Sequence, residues 1–250
     1  MLDGASSHNC VYREIDITDM YNNGEFSTNV ANGSFKNIFP GCYIKKTKTI
    51  DGTTYTDSID IIVSLDPYYG KWNGSSYITT HHVGIVPFTL LGTSYMNSTN
   101  ITTGGFKSTY MHNTTLPKYL TGYKNAYGAS HFLTFGELIS NNANENVPAP
   151  ATDGLGRTNS WEWVITQITL LSEVQVYGCM VFSSAYDVGE ACKQLEAFQY
   201  NHELQTFRTG HSWLRGVVNV NSFTASGYDG KPDAVMAGFS LYVRPLLLLY

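Results

Sequence analysis

Along the first hundred residues the apolar positions fall in short runs separated by dipeptides that accept positive φ. Asn23-Gly24, Asn32-Gly33, Asp51-Gly52 and Asn73-Gly74 carry the chemistry of hairpins and tight turns. Between them Tyr43-Ile44, the β-branched run Ile59 to Leu65 and the segment His82 to Phe88 read as strands, with Pro87 ending the last or placing it at an edge. Helical spacing appears only in the middle. Leu120 and Tyr123 lie one helical step apart behind Pro117, and Gly128 follows, so the pattern predicts a helix over 115–126. A second short helix is predicted over 132–141, then an Asn-, Pro- and Ala-rich loop over 141–158. Trp161 to Leu170 alternates, with Trp161, Trp163 and Ile165 on one face, and reads as a buried strand. Ser172-Glu173 looks like a helix start, the hydroxyl accepting from an orphan N–H and the carboxylate facing the positive end of the dipole. That helix should run to about Tyr177, before Gly178. Trp213 to Val220 and Phe239 to Leu249 read as further strands around the turn-rich 226–232, with Leu246 to Leu249 as a buried last strand.

No repeat or linker divides the chain. We read one domain over residues 1–250, with residues 1–90 as an optional β-rich N-terminal subdomain ahead of a core over 91–250. Aromatics make up 14% of the residues and charged residues only 14%, which excludes disorder and long helical arrays. The polar surface must come from Asn, Ser, Thr and eighteen tyrosines. The net charge of −5 argues against a nucleic-acid partner, whose phosphates need clustered Lys and Arg. Lys45-Lys46-Thr47-Lys48 is the one basic run and reads as a solvated strand or turn. No signal peptide is visible at Met1 to Gly4, and no apolar run approaches a membrane span, so no membrane insertion is expected. Cys10, Cys42, Cys179 and Cys192 show no C-x-x-C spacing and read as buried free thiols, Cys179 with Cys192 being the pair that a secreted protein could close. Asn-x-Ser/Thr triplets starting at Asn32, Asn73, Asn97, Asn100 and Asn113 arise by composition.

The chemistry-bearing motifs are missing: no G-x-S-x-G, H-E-x-x-H, phosphate loop or G-x-G-x-x-G occurs. His81 and His82 are adjacent, so on a strand they point to opposite faces and read as a packed or hydrogen-bonded pair rather than a metal site. His8, His112, His131, His202 and His211 could gather only through tertiary contact. Glu14 with Asp16 and Asp57 with Asp60 read as solvated turn residues. No catalytic residue, metal or cofactor is therefore expected. Tyr68 and Tyr69 beside Trp72 and Tyr77 form an aromatic loop that could stack on sugar faces or anchor an interface, and a cluster of this kind also arises simply from the tyrosine content.

The succession Leu170-Leu171-Ser172-Glu173, Tyr177-Gly178, His211-Ser212-Trp213-Leu214-Arg215, Phe223, Gly227 to Gly230, Ala234, Gly238 and Val243-Arg244-Pro245 resembles a domain of unknown function found in gut Firmicutes and their phages. Upstream, Gly33-Ser34-Phe35, Gly41-Cys42-Tyr43-Ile44, His82 to Pro87, Met96 to Phe106 and Leu116-Pro117 are similar to virion members of that family. The resemblance implies an α+β, C-type lectin-like fold of the branch shared with formylglycine-generating enzymes: short twisted antiparallel strands, two or three short helices and long loops. Residues 91–250 would then be the C-type lectin-like core. It assigns Ser172, Glu173, Trp213, Arg215 and Arg244 to the scaffold, Trp213 filling the core and the two arginines making buried or stacked hydrogen bonds. No reactive cysteine pair of the enzyme type is recognisable at Cys179 or Cys192. Lys231-Pro232-Asp233 echoes the sugar loop of calcium-dependent lectins without its Trp-Asn-Asp partner.

The resulting expectation is a non-enzymatic virion surface protein, assembled in the bacterial cytoplasm, that decorates a head or forms a fibre or tail adhesin and meets a host glycan or protein. Alternatives are a purely structural capsid or tail subunit and an enzyme acting on a surface polymer. Other virion proteins are the expected partners, and a homo-oligomer is expected because virion proteins follow particle symmetry. Tyr68, Tyr69, Trp72 and Tyr228 are the expected ligand-binding residues.

Overall fold

The computed structural model describes residues 11–140, 161–183, 193–206 and 210–250. Its strands, all short but one, are β1 (Tyr43–Ile50), β2 (Thr53–Leu65), β3 (Val83–Pro87), β4 (Thr93–Ser94), β5 (Phe135–Ser140), β6 (Trp161–Thr166), β7 (Ile168–Leu170), β8 (Ser212–Val217), β9 (Ser222–Ser226), β10 (Pro232–Met236), β11 (Leu241–Tyr242) and β12 (Pro245–Leu249). The helices are α1 (Thr18–Asn22), α2 (Glu25–Ala31), α3 (Leu116–Tyr127), α4 (Glu173–Tyr177) and α5 (Glu196–Tyr200). One five-stranded sheet runs β1-β2-β3-β12-β7, a second runs β10-β9-β8-β11-β4, and β5-β6 form a separate ribbon. All strand pairs are antiparallel except β8 with β11. The chain is thus a mixed α+β protein with mostly antiparallel sheets and few helices. The first sheet combines β1 to β3 with strands from the far end of the sequence.

Local chemistry explains the elements. Asp51 at φ 49° and Gly52 at φ 81° make the two-residue hairpin that joins β1 to β2, positive φ at both central positions matching the strand twist. Pro87 is the last residue of β3, opposite Asp60, and ends it as expected. α3 forms where its Pro and Gly signals place it, preceded by a π-turn over Met111–Thr115. Gly122 of α3 has no room for a Cβ, which would stand 2.7 Å from the Thr49 carbonyl oxygen, so the helix lies directly on β1.

Three expectations fail locally. The first hundred residues are not all strands and turns: Asn23-Gly24 separates two helices instead of closing a hairpin, Gly24 adopting φ 82° ahead of α2. Phe26 and Val30, four apart, bury the inner face of α2. Residues 132–140 are not helical; β5 occupies 135–140 and pairs with β6 along its whole length, strand pairing overriding local propensity. The stretch Trp161 to Leu170 is two strands broken by a bend at Gln167, where the Thr166 hydroxyl accepts from Ile168 N–H at 3.1 Å. Only β7 is buried throughout, while Trp161, Trp163 and Ile165 face outward.

β12 is buried along its whole length. Leu247 and Leu249 join a cluster with Ile44, Ile62, Tyr123, Trp213 and Phe223, whereas Leu246 and Leu248 join one with Val63, Tyr68, Phe135, Val176 and Phe198. The first sheet therefore carries core on both faces. Trp213 is fully buried, and its indole N–H donates to the Ser94 carbonyl at 2.8 Å, tying β8 to β4.

Buried charge departs from the sequence reading. Lys48 is fully enclosed rather than solvated: its Nζ lies 2.5 Å from Asp60 Oδ2, beneath the rings of Tyr123 and Tyr127. Both phenols donate to the same carboxylate, at 2.7 and 2.5 Å. Asp60 is accordingly a core residue, not a turn residue. Lys45 does sit at the surface, paired with Asp16.

Replacing Trp213 by Ala should cost about 3–5 kcal/mol, the usual cost of emptying a large aromatic site, and lower the melting temperature by about 10 °C for a chain this long. Calorimetry showing wild-type melting would mean that the indole carries no core packing.

Candidate functional site

Ser172, Glu173, Arg215 and Arg244 build scaffold. Ser172 caps α4, its hydroxyl accepting from Gln175 N–H at 3.1 Å while Gln175 Oε1 accepts from Ser172 N–H at 3.0 Å, a reciprocal capping box. The Glu173 carboxylate is buried and accepts from the backbone N–H groups of Val181, Phe182 and Ser183 and from the Ser183 hydroxyl. Gln175 also links α4 to a buried group around Glu137. It donates to the Tyr68 hydroxyl at 3.0 Å, Tyr68 donates to Glu137, and Arg215 Nη1 stands 3.3 Å from Glu137 and donates to Gln175 Oε1 and to the Leu170 carbonyl. Arg244 donates to the carbonyls of Leu204 and Pro87 and lies over the Phe198 ring. Both arginines are buried and hydrogen-bonded.

The four expected ligand residues do not form one surface. Tyr68 is completely buried, and burial together with the neighbouring Glu137 raises its phenol well above the ordinary value, so it is a permanent donor inside the core. This corrects its placement in a binding loop. Tyr69 is half-buried and stacks on His81 at 4.7 Å. Tyr228 is exposed on the β9–β10 turn, and its ring partner is His211. Trp72 alone lies in an exposed aromatic group: it packs edge-on against Tyr77 at 5.8 Å, and bare Gly136 brings the Trp72 carbonyl beside the side chains of Trp163 and Ile165. Gly74 likewise abuts Ile165. Tyr77 is 66% exposed, Trp161 38%, Trp163 37% and Ile165 45%, giving the β5-β6 ribbon an outward aromatic face. The sequence showed that face and assigned it to the core, because alternation alone does not say which side is wet.

The two adjacent histidines share one carboxylate. Asp66 Oδ2 lies 2.6 Å from His81 Nδ1, and Oδ1 accepts from His82 N–H at 2.8 Å. His82 Nε2 accepts from Tyr68 N–H at 3.1 Å, which leaves the ring proton on Nδ1 for the Thr80 carbonyl at 2.9 Å. The pair is hydrogen-bonded, as expected. Among the described residues no three of His, Cys, Asp and Glu gather as a metal site. Cys42 is buried, which pushes its thiol up, whereas Cys179 is exposed; Cys10, Cys192 and His8 lie outside the described residues.

Sequence reasoning missed a cleft of about 350 Å³ where the β1-β2 hairpin, β4 and the start of α3 meet. Its aromatic walls are Tyr55, Tyr95, Tyr110 and Tyr119. Tyr95 and Tyr110 pack at 4.8 Å with a 39° tilt, and Tyr119 donates to the Leu91 carbonyl at 2.7 Å. At the mouth Lys118 Nζ is 2.9 Å from Asp51 Oδ2, and on the wall the Ser94 and Thr115 hydroxyls bond at 2.9 Å. Burial raises the phenols of Tyr55, Tyr95 and Tyr119, for Tyr95 with help from Tyr110, so at neutral pH these three are hydroxyl donors. Three separated segments contribute these rings, Tyr110 and Tyr119 sharing one helical run, and no spacing in the chain could have joined all four.

Burial lowers the His82 imidazole below its ordinary 6.5, so on acidification the unfolded chain takes up the proton first. The resulting stability is full above about pH 6.5 and declines as pH falls below it; His112, also depressed by burial, acts with the same sign. Melting temperature should therefore fall between about pH 6.5 and pH 5, and the His82 ring should stay neutral at pH 6 by NMR. A His82 resonance titrating at or above 6.5 would contradict the hydrogen-bond assignment. No protein family, curated protein or solved structure matches the chain.

Proposed function

We propose that this chain is a non-enzymatic bacteriophage virion surface protein, a head decoration or fibre subunit or a tail adhesin, whose C-type lectin-like domain attaches to the host surface or its glycans. The observation that carries the reading is the outward aromatic face of the β5-β6 ribbon with Trp72 and Tyr77. Tyr and Trp offer large contact area at low entropic cost with a polar edge, which suits adhesion. Supporting it, Ser172, Trp213, Arg215 and Arg244, among the residues that carry the resemblance, are spent on a helix cap and the core. Among the described residues no helix is long and apolar enough to cross a membrane.

A structural-subunit reading has its own support. Ile101, Val220, Met236 and Phe239, each 45–56% exposed, are brought together by the bonds from Thr102 N–H to the Val220 carbonyl, from Phe239 N–H to the Met236 carbonyl and from Gly238 N–H to Asn100 Oδ1. Apolar side chains exposed side by side in this way suit contact with another virion protein or a second copy.

Immunogold labelling or cryo-electron microscopy should place the chain on the particle exterior, and the purified protein should bind host cells, with Trp163→Ser and Tyr77→Ser weakening binding about tenfold or more. Particle labelling without cell binding, with assembly lost in Phe239→Asp, would select the structural reading. Neither particle association nor cell binding would remove both.

A further inference from the structure

We infer that the tyrosine-walled cleft between the β1-β2 hairpin and α3 is a binding site for a neutral saccharide, held without a metal ion. The inference deepens the attachment reading and rests on it only for the source of the sugar, a host surface.

The shape and the chemistry point the same way. The volume of about 350 Å³ lies at the small end of ligand sites, which run roughly 300–1,000 Å³, and fits one or two sugar rings. Such a ring has an apolar face of C–H groups and an equator of hydroxyls. The cleft presents the matching surfaces: tilted rings of Tyr95 and Tyr110 for the face, and phenol, serine and threonine hydroxyls for the equator. The floor is bare at Gly92, where a Cβ would stand 3.1 Å from the Tyr55 hydroxyl and 3.4 Å from that of Tyr119. A side chain there would occupy the space between two phenol oxygens.

Charge decides between sugar classes. Lys118 and Asp51 are the charged residues of the lining, and they form an ion pair. A phosphate or carboxylate would have to draw Lys118 away from its partner while facing Asp51, whereas vicinal hydroxyls can donate to the carboxylate and accept from the ammonium with the pair intact. The neutral ligand is therefore favoured.

The walls are built before any ligand arrives. Ser94 is held from three sides: its hydroxyl bonds Thr115, its carbonyl accepts from the Trp213 indole, and its backbone pairs with Leu241. Tyr119 is fixed by the Leu91 carbonyl. Little ordering cost then remains for binding.

The test uses the full chain and a panel of glucose, galactose, rhamnose, N-acetylglucosamine and their methyl glycosides, read by saturation-transfer NMR and calorimetry with and without EDTA. At least one neutral sugar should bind, unchanged by EDTA, and Tyr110→Ala and Lys118→Ala should each weaken it about tenfold or more. Both side chains are exposed, so both variants should melt close to wild type. Silence across the panel, calcium dependence, tighter binding of glucose 6-phosphate than of glucose, or binding unaffected by both substitutions would each overturn the inference. Host-cell adhesion measured on the same variants separates the two proposals. Adhesion that survives Tyr110→Ala leaves attachment standing while the cleft loses its role in it, and sugar binding without any adhesion sinks attachment and leaves the cleft standing.

Discussion

The fold depends on where the last strand goes. β12 enters the first sheet between β3 and β7, and its leucines alternate into two separate cores. Leu133 N–H reaches back to the Leu248 carbonyl, and Phe132 bridges to Leu249, so the ribbon, too, is anchored on the chain's end. A strand buried on both faces loses its alternation and reads as a plain apolar run, which is what Leu246 to Leu249 present. The cost is kinetic: the sheet cannot close until residue 249 is available to partners more than 160 positions away in β3, and pairings of such separation form slowly.

A second constraint is the treatment of charge. With charged residues at only 14%, several are nonetheless placed in the interior, and each is locked by more than one partner. Lys48 and Asp60 share two phenols; Glu137 and Arg215 share Gln175, and Glu137 also holds the Tyr68 phenol. Dehydrating such pairs offsets most of their attraction, so they add little net stability, while removal of one member would leave a bare charge costing about 3–5 kcal/mol. Their effect is on register. Lys48 reaches Asp60 only if β1 and β2 pair as they do, and α3 must bring Tyr123 and Tyr127 to the same carboxylate.

Much of this was legible in the chain where a local rule acts alone. Asp51-Gly52, the Pro and Gly bounds of α3, and the Ser172 cap each depend on a few neighbouring residues, and each formed where the pattern put it. The burial of Trp213, Arg215 and Arg244 also follows expectation. What could not be read were choices made by tertiary contact. Asn23-Gly24 accepts positive φ in a hairpin and at a helix start alike, and the burial of Phe26 and Val30 settled it. Tyr68 and Trp72 sit four residues apart in one aromatic loop, yet Glu137 draws the first into the core and leaves the second outside. Lys48 looks like the third lysine of a solvated run until Asp60, twelve residues on, receives it.

The same division explains where function can reside. Ser172, Arg215, Arg244 and Trp213 are spent on a cap, buried guanidinium bonds and the indole that ties two strands of one sheet, all of which would be lost by substitution without regard to any ligand. The aromatic side chains left outside come from the 69–77 loop, the outer face of β6 and the tyrosines around the β1-β2 hairpin, segments held in place by that scaffold but contributing little to it. Tyr95 and Tyr110 could change identity at small cost to the core, whereas Tyr68, Tyr123 and Tyr127 could not, since each donates to a buried carboxylate. The tyrosines of this chain are therefore two populations with one chemistry: a ring that fills space and a hydroxyl that needs a partner. Inside, the partner is Glu137, Asp60 or a backbone carbonyl; outside, the exposed rings and hydroxyls are left to be met by a molecule that offers the same pairing of an apolar face and a hydroxylated edge.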